Sequence, residues 1–277
     1  MPTNHSGVSS IEDLRPHASA ARAKVALFDF DGTLSLLRAG WADVMVPMMV
    51  EELAATRTDE DEQQLRSAVR EWVDRLTGKQ TIYQMIELAR QVELRGGRPA
   101  EPLAYKRRYL DLLHARIAHR IEDLRTRAAP PEKYLVPGSV ALLEQLRSRG
   151  IRLYLASGTD EEYMRKEADL LGVTQYFDGG VYGAQDDYQS FSKRILISRI
   201  LDGAECEGPE ILGFGDGYVE IENVKQVGGF AVGVATDERQ CDRVDTWKRD
   251  RLVGAGADCI VANFDCLDEL TQRLLRV

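Results

Sequence analysis

The sequence contains few of the residues from which disulfide frameworks, thiolate metal sites and membrane spans are built. Its four cysteines include no C-x-x-C pair and no accompanying histidine cluster, so neither a zinc site nor a disulfide framework is indicated. No apolar run approaches the roughly 18 residues of a membrane helix. Positive charge is in deficit, and the formal net charge of −9 argues against general binding to nucleic acids or anionic membranes. We expect a cytoplasmic protein with neither kind of partner.

The rest of the composition is typical of a soluble globular protein. The chain has 277 residues, of which 44% are hydrophobic and 29% are charged. This length exceeds one typical domain and is short of three. One large α/β domain with a smaller inserted domain is therefore the expected organisation, preceded by a flexible tail over the polar residues 1–23.

The apolar pattern changes twice along the chain. A first strand at residues 24–28 is followed by helical spacing at 41–55, 61–76, 81–94 and 101–127. Strands then alternate with helices, with strands at 151–156, 179–182, 211–214, 230–234 and 259–261. This alternation predicts an α/β fold with a Rossmann-like parallel sheet and helices on both faces. The core would comprise residues 24–36 and 134–277, and an inserted α-helical domain residues 37–133.

The first strand delivers two carboxylates into a glycine turn, in the run Phe28-Asp29-Phe30-Asp31-Gly32-Thr33-Leu34. Because strand residues alternate between faces, Asp29 and Asp31 lie on the same side. Gly32 allows a sharp turn, and Thr33 offers a hydroxyl and an amide to an anion. Taken alone, the run also fits an ordinary exit from a strand into a polar loop.

Three later segments favour a functional site over that alternative. They are Ser157-Gly158-Thr159, then Lys193 at the start of a helix, then Gly215-Asp216-Gly217-Tyr218-Val219-Glu220. Strand ends of a parallel sheet share one edge, where open α/β sheets bind ligands. Phosphoryl transfer needs a nucleophile, a proton donor and acceptor, positively charged groups next to the phosphoryl oxygens, and a metal ion. This edge offers a candidate for each role.

These four segments, in this order, resemble the four motifs of the haloacid dehalogenase superfamily. The helical insertion lies where that superfamily places a type-one cap, and the resemblance covers roughly residues 24 to 277. The dehalogenases and phosphonatases of the superfamily lack an aspartate two positions after the nucleophile. The presence of Asp31 therefore implies phosphate-ester or phosphoryl-transfer chemistry.

The resemblance implies a role for each motif residue. Asp29 would attack phosphorus and become an aspartyl phosphate, while Asp31 would protonate the leaving alcohol and later activate water. Ser157 would hydrogen-bond a phosphoryl oxygen, and Lys193 would balance charge on the phosphoryl group and on Asp29. The implied phosphate-binding residues are Gly32, Thr33, Ser157, Gly158 and Lys193.

The resemblance also implies Mg²⁺ as the cofactor, an ion that prefers an octahedral shell of oxygen ligands. Its ligands would be the Asp29 carboxylate, the Asp31 backbone carbonyl and the Asp216 carboxylate. The last motif departs from the common pattern, because Glu220 stands where a second aspartate is common. We expect the longer side chain of Glu220 to act through a metal-bound water.

Substrate selection in capped members of the superfamily comes mainly from the insertion. Arg38, Lys79 and Gln80 are the candidates, because Thr77-Gly78-Lys79-Gln80-Thr81 is a polar turn between two helices that suits a position facing the cleft. A solvated charge, or packing between helices, is the alternative for each of them.

The sequence favours a Mg²⁺-dependent phosphatase that acts on a small phosphorylated metabolite, either a sugar phosphate or a phosphoglycolate-like acid. A sugar phosphomutase of the β-phosphoglucomutase type is the alternative enzyme, since it would share every core residue and differ in holding the phosphorylated intermediate away from water. A non-catalytic module that binds a phosphorylated ligand is the alternative from another class, although such a module gains little from a nucleophile beside its acid.

Overall fold

A seven-stranded sheet forms the centre of the computed structural model, which describes residues 11–185, 187, 192–203 and 206–275. The strands within these residues are β1 (Ile11–Asp13), β2 (Val25–Phe28), β3 (Arg152–Asp160), β4 (Gly180–Ala184), β5 (Ile211–Gly215), β6 (Phe230–Val234) and β7 (Cys259–Val261). Their order across the sheet is β1-β7-β6-β5-β2-β3-β4. The pair β1 and β7 is antiparallel, and the other neighbouring strands are parallel. The predicted Rossmann-like sheet is confirmed.

The register of the three central strands brings their carboxyl ends to one edge. Phe28, the last residue of β2, lies beside Leu155 of β3 and Phe214 of β5. The backbone N–H of Asp29 donates to the carbonyl of Phe214 at 2.9 Å, which extends the pairing one residue beyond β2. The polar residues that follow these strands are therefore neighbours in space.

Four helices follow β2 and precede the next strand: α1 (Ala42–Ala54), α2 (Glu62–Leu76), α3 (Thr81–Leu94) and α4 (Pro102–Arg125). A capping box starts α2, in which the Asp61 side chain accepts the N–H of Gln64 and the Gln64 side chain accepts that of Asp61. Pro102 begins α4, where its missing N–H has no helical partner to lose. The four helices surround a hydrophobic cluster of their own. Residues 37–133, all of which are described, contain no strand.

Six further helices, among the described residues, cover the two faces of the sheet. The first face carries α5 (Ser139–Ser148), α6 (Glu161–Leu170) and α10 (Leu267–Leu275), and the second carries α7 (Lys193–Gly203), α8 (Tyr218–Gln226) and α9 (Thr246–Gly254). The side chains of successive strand residues lie on opposite faces of the sheet. Phe28 packs in the hydrophobic cluster on the first face, and Leu27 packs in the cluster on the second. Phe28 also stacks on Phe214, with ring centroids 4.4 Å apart. None of the described helices is long and apolar enough to cross a bilayer.

The flexible tail predicted for residues 1–23 is wrong for residues 11–23. Ile11 is buried and pairs with Val261, which makes β1 an edge strand of the sheet. Asp13 forms an ion pair with Arg273 at 2.5 Å. These long-range partners hold a strand that is too short to show an alternating pattern. Residues 1–10 lie outside the described part of the chain.

Helix α9 is a second element that the sequence pattern does not predict. Leu252 is the one residue of α9 that is fully buried, so the segment lacks the apolar stripe that marks an amphipathic helix. Its start is fixed instead by Asp245, whose side chain accepts the N–H of Lys248 at 3.0 Å. This helix contributes to the site described below.

Candidate active site

Asp29 occupies the first position beyond β2 and is almost completely buried. Its Oδ1 accepts the N–H of Phe30 at 2.8 Å and lies 2.7 Å from Nζ of Lys193. Burial raises the pKa of the Asp29 carboxyl to about 6, although the charge of Lys193 opposes the shift. The predicted nucleophile is therefore held in one orientation by two donors.

The turn after Asp29 depends on a glycine. Gly32 has φ +75°, and a Cβ at this position would lie 2.1 Å from Oδ2 of Asp216. The Thr33 hydroxyl accepts the N–H of Asp216 at 2.9 Å, which joins the loop after β2 to the loop after β5. The N–H of Gly32 donates to the carbonyl of Ser35, and that of Thr33 to the carbonyl of Phe30. Gly32 and Thr33, predicted to bind phosphate, thus shape the turn with these amides.

Asp31 lines the same cleft as Asp29, as predicted, and its Oδ2 accepts a hydrogen bond from the Thr159 hydroxyl at 2.7 Å. Its buried Oδ1 has no hydrogen-bond partner among the described residues and lies 3.8 Å from Nε of Arg38. Burial raises the pKa of the Asp31 carboxyl to about 7; the charge of Arg38 lowers it, and that of Glu167 raises it. A carboxyl in this environment can hold a proton at neutral pH.

Ser157 is brought to the same edge by β3. Its buried hydroxyl accepts the N–H of Thr159 at 3.0 Å and lies 3.5 Å from Oδ2 of Asp31. Gly158 meets the inserted helices here, because a Cβ at this position would lie 3.2 Å from the carbonyl oxygen of Lys79. Ser157 and Gly158 therefore lie where the core and the inserted helices meet.

Lys193 begins α7 and is enclosed between two acids. Its Nζ contacts Asp29 and also Oε1 of Glu220, and each of the three side chains is less than a tenth exposed. Burial alone would lower the pKa of Lys193, but the two carboxylates outweigh burial and hold it above its usual range. Glu220, predicted to act through a metal-bound water, is here a direct partner of Lys193.

Asp216 has a partner that the sequence analysis missed. Its Oδ2 lies 2.9 Å from Nζ of Lys248, which also lies 2.9 Å from Oε1 of Glu238. Burial raises the pKa of Asp216 to about 6; Lys248 lowers it and the charge of Asp29 raises it. Only the capping residue Asp245 signals α9 in the sequence, and nothing local indicates which face of that helix meets Asp216.

The three predicted cap residues reach the site in different ways. Arg38 lines the cleft but is buried, with its guanidinium donating to Glu167 at 2.9 Å from Nε and 2.7 Å from Nη2. Lys79 is exposed and lines the cleft, whereas Gln80 is buried beside Gly158 and Lys193. The inserted helices and the segment leading into them also contribute Trp41, Met45, Gln84 and Tyr109 to the cleft wall. The cleft thus has a charged floor from the core and a mixed polar and aromatic wall from the insertion.

Mg²⁺ fits this set of donors. Asp29 and Asp216 are buried carboxylates whose charges repel each other, and a divalent cation would relieve that repulsion. Within the described residues, no group of three or more acidic, histidine or cysteine side chains is placed to hold an ion by itself. The predicted ligand set takes only two carboxylates, with the Asp31 carbonyl and water, and Mg²⁺ usually keeps several waters.

Comparison with known proteins identifies the family of this chain. A family model described as haloacid dehalogenase-like hydrolase matches residues 23–228. The chain belongs to the haloacid dehalogenase-like hydrolases, and the resemblance drawn from the four motifs is confirmed. No curated protein shows a significant match to the sequence.

Solved structures share the fold at low sequence identity. A predicted phosphoglycolate phosphatase from Haemophilus somnus is 16% identical, with a TM-score of 0.60 over 91% of this chain and 99% of that chain. The β-phosphoglucomutase of Clostridium difficile is 16% identical, with a TM-score of 0.58 over 91% and 96%. A phosphonoacetaldehyde hydrolase-like protein from Oleispira antarctica is 15% identical, with a TM-score of 0.59 over 94% and 96%. Each likeness shows the fold and leaves the reaction to the residues of the site.

Proposed function

We propose that this hydrolase is a Mg²⁺-dependent phosphatase that cleaves a small phosphorylated metabolite, a sugar phosphate or a phosphoglycolate-like acid, through an aspartyl phosphate on Asp29. The observation that carries the proposal is the arrangement of Asp29 and Asp31. Asp29 is fixed by Lys193 and the N–H of Phe30, and Asp31 is held by Thr159 on the same side of the strand end. A nucleophile and a proton donor therefore flank one point in the cleft.

The first chemical step assigns different tasks to the two aspartates. Asp29 forms a bond to phosphorus as the bond from phosphorus to the leaving oxygen breaks. Asp31 gives its proton to that oxygen, which the raised pKa of its carboxyl makes available near neutral pH. Lys193 stays charged, because Asp29 and Glu220 hold its pKa up, and its charge offsets the negative charge that gathers on the phosphoryl group.

The second step reverses the role of Asp31. Its carboxylate takes a proton from water as the water oxygen attacks phosphorus, which releases phosphate and restores Asp29. Ser157 is positioned beside Asp31, where its hydroxyl can donate to a phosphoryl oxygen in both steps. A bound Mg²⁺ would supply charge neutralisation for the phosphate dianion.

A sugar phosphomutase is the second candidate, and the likeness to β-phosphoglucomutase supports it at the level of the fold. A mutase would use the same Asp29 and Asp31 but pass the phosphoryl group to a second sugar hydroxyl instead of water. The difference lies in whether the closed insertion excludes water while the phosphorylated enzyme persists.

Phosphate release tests the proposal. The protein is incubated with sugar phosphates, phosphoglycolate, nucleotides and an aryl phosphate, with Mg²⁺ and with a chelator, beside the Asp29→Asn variant. We expect Mg²⁺-dependent release from a few related substrates and none from the variant. Release that survives Asp29→Asn would overturn the nucleophile assignment. Interconversion of sugar phosphate isomers with little free phosphate would establish the mutase. The absence of both reactions would favour the binding module.

Trapping the intermediate gives an independent test. In Asp31→Asn, the group that activates water is absent, so a phosphoryl group transferred to Asp29 from an activated aryl phosphate should persist. Mass spectrometry of the intact variant and of its peptides should locate the added mass on Asp29. An added mass on another residue, or on none, would contradict the proposed intermediate.

A further inference from the structure

Lys248 is a buried cation in contact with the predicted metal site. It lies outside the four motifs, so the roles assigned to the motif residues do not include it. Only 11% of its side chain is exposed, and its Nζ lies midway between Asp216 and Glu238, 2.9 Å from an oxygen of each. A Cβ on Gly32 would lie 3.2 Å from this nitrogen and 2.1 Å from Oδ2 of Asp216. The ammonium group therefore lies against the turn that follows the predicted nucleophile.

The backbone of Lys248 is fixed by the start of α9. The Asp245 side chain caps the helix by accepting the N–H of Lys248 at 3.0 Å, and the N–H of Asp245 donates to the carbonyl of Ala235, just beyond β6, at 2.7 Å. Arg251, one turn further along, donates to the carbonyl of Asp74 in α2 and stacks against Tyr218. The Lys248 side chain thus extends from an anchored helix and is held at its tip by two carboxylates.

The charges around Asp216 explain what this cation does before a metal ion arrives. Asp29, Asp216 and Glu238 all line the cleft. Lys193 forms ion pairs with Asp29 and with Glu220. Lys248 forms ion pairs with both Asp216 and Glu238. It neutralises part of the same negative charge that attracts a divalent cation, so it must weaken the attraction while it holds Asp216 in place.

We propose that Lys248 is a positioning residue of the metal site: it holds Oδ2 of Asp216, leaves the other carboxylate oxygen for Mg²⁺, and lowers the affinity of the substrate-free enzyme for the ion. The proposal rests on the proposed function, because it takes Asp216 as a ligand of Mg²⁺. Glu238 sets the strength of the effect by sharing the ammonium. Tight binding of the metal then depends on the arrival of the phosphate dianion, which restores negative charge to the cleft.

The test measures Mg²⁺ binding by calorimetry in the absence of substrate, so it does not depend on turnover. Lys248→Met removes the charge but keeps the length of the side chain, and we expect Mg²⁺ to bind about tenfold more tightly. Glu238→Gln removes an anion and leaves Lys248 on Asp216, so it should weaken binding. Lys248→Arg keeps the charge and should restore an affinity close to that of the unaltered protein.

A matched control separates this effect from a general loss of stability. Lys225 forms a comparable ion pair with Asp258, 2.8 Å apart, away from the cleft. Lys225→Met should lower the thermal stability and leave Mg²⁺ affinity unchanged. If Lys248→Met fails to fold, the opposite shift expected for Glu238→Gln still tests the proposal.

The outcomes distinguish the two proposals. Mg²⁺ binding that is unchanged or weaker in Lys248→Met, with binding intact in the unaltered protein, overturns the role of Lys248 alone. Absence of Mg²⁺ binding in both the unaltered protein and Lys248→Met, together with phosphate release that does not require Mg²⁺, overturns both the role of Lys248 and the metal dependence of the proposed phosphatase. Opposite shifts in Lys248→Met and Glu238→Gln, with rescue by Lys248→Arg, establish the positioning role.

Discussion

The ammonium nitrogen of Lys193 lies 2.7 Å from Oδ1 of Asp29 and also contacts the carboxylate of Glu220. One buried cation therefore forms ion pairs with two buried carboxylates at the centre of the site. Lys193 lies at the start of α7, Asp29 follows β2, and Glu220 lies in α8, so the contact joins three elements of the core. The charge that we propose to act in catalysis therefore also contributes to the stability of the fold.

Lys193→Met should abolish turnover and also destabilise the protein. Removing the ammonium group leaves two buried carboxylates without a paired cation, which typically costs about 3–5 kcal/mol. Urea unfolding of the metal-free protein measures the loss. The double variant Lys193→Met with Glu220→Gln should recover much of the stability but none of the activity. Equal stability of the single and double variants would contradict the shared ion pair.

Asp29→Asn should make the metal-free protein more stable above pH 6. A carboxyl whose pKa is higher in the folded than in the unfolded chain destabilises the fold once it ionises, and the pKa of Asp29 is raised to about 6 by burial. The cost is fully present above pH 6 and disappears toward pH 4, below which both states are protonated. At pH 8 we expect a gain of about 1–3 kcal/mol.

Urea unfolding at pH 8 and pH 5 checks this prediction, with a chelator present in both series. The difference between Asp29→Asn and the unaltered protein should shrink at the lower pH. A variant that is less stable than the unaltered protein at pH 8 would show that the contact with Lys193 outweighs the cost of burial.

Glu167→Gln should move the alkaline limb of the pH profile to lower pH. Asp31 must carry a proton to act as the acid, so kcat/KM should fall as the pH rises past about 7, the value to which burial raises its pKa. The charge of Glu167 contributes to that rise, and its removal should shift the limb by up to about one pH unit. Glutamine still accepts a hydrogen bond from Arg38, so the fold should persist.

Glu162→Gln on the same helix provides the control, because Glu162 is exposed and pairs with Lys166. Its pH profile should match that of the unaltered protein. A limb that stays in place in Glu167→Gln would show that Asp31 is not the group that controls it.

Arg251→Met should raise KM more than it changes kcat. The Arg251 guanidinium lies 5.0 Å from the ring centroid of Tyr218 and 4.6 Å from that of Trp247, and it donates to the carbonyl of Asp74 in the inserted helices. The two ring contacts hold the guanidinium against the core, and the hydrogen bond to the Asp74 carbonyl joins it to the insertion over the cleft; each contact contributes about 0.5–1.5 kcal/mol. We expect KM to rise about three- to tenfold, together with a change in tryptophan emission.

Arg249→Met tests whether the effect is specific to the insertion. Arg249 lies on the same helix but pairs with Glu12 of β1, away from the inserted helices. It should leave KM and the tryptophan emission close to those of the unaltered protein. Similar kinetic changes in both variants would assign the effect to α9 as a whole.

The placement of the motif residues followed from local patterns. Asp29 and Asp31 directly follow β2 and line one cleft, and the alternation of strands and helices makes the sheet parallel, so the residues from β3 and β5 reach the same edge. The short strand β1 and the polar helix α9 were not predicted from the sequence, because neither shows a periodic pattern of apolar residues. Both are held by contacts with residues far away in the chain.

The sequence alone determined the order of the elements other than β1 and α9, the position of the helical segment after β2 and the strand ends that bear the motif residues, because hydrophobic periodicity and turn residues act over a few neighbouring positions. Only the tertiary structure decided which charges meet. Glu220 binds Lys193, Arg38 binds Glu167, and Lys248 binds Asp216. Such pairs depend on strand register and on the rotation of each helix against the sheet, which are settled by packing across the whole core.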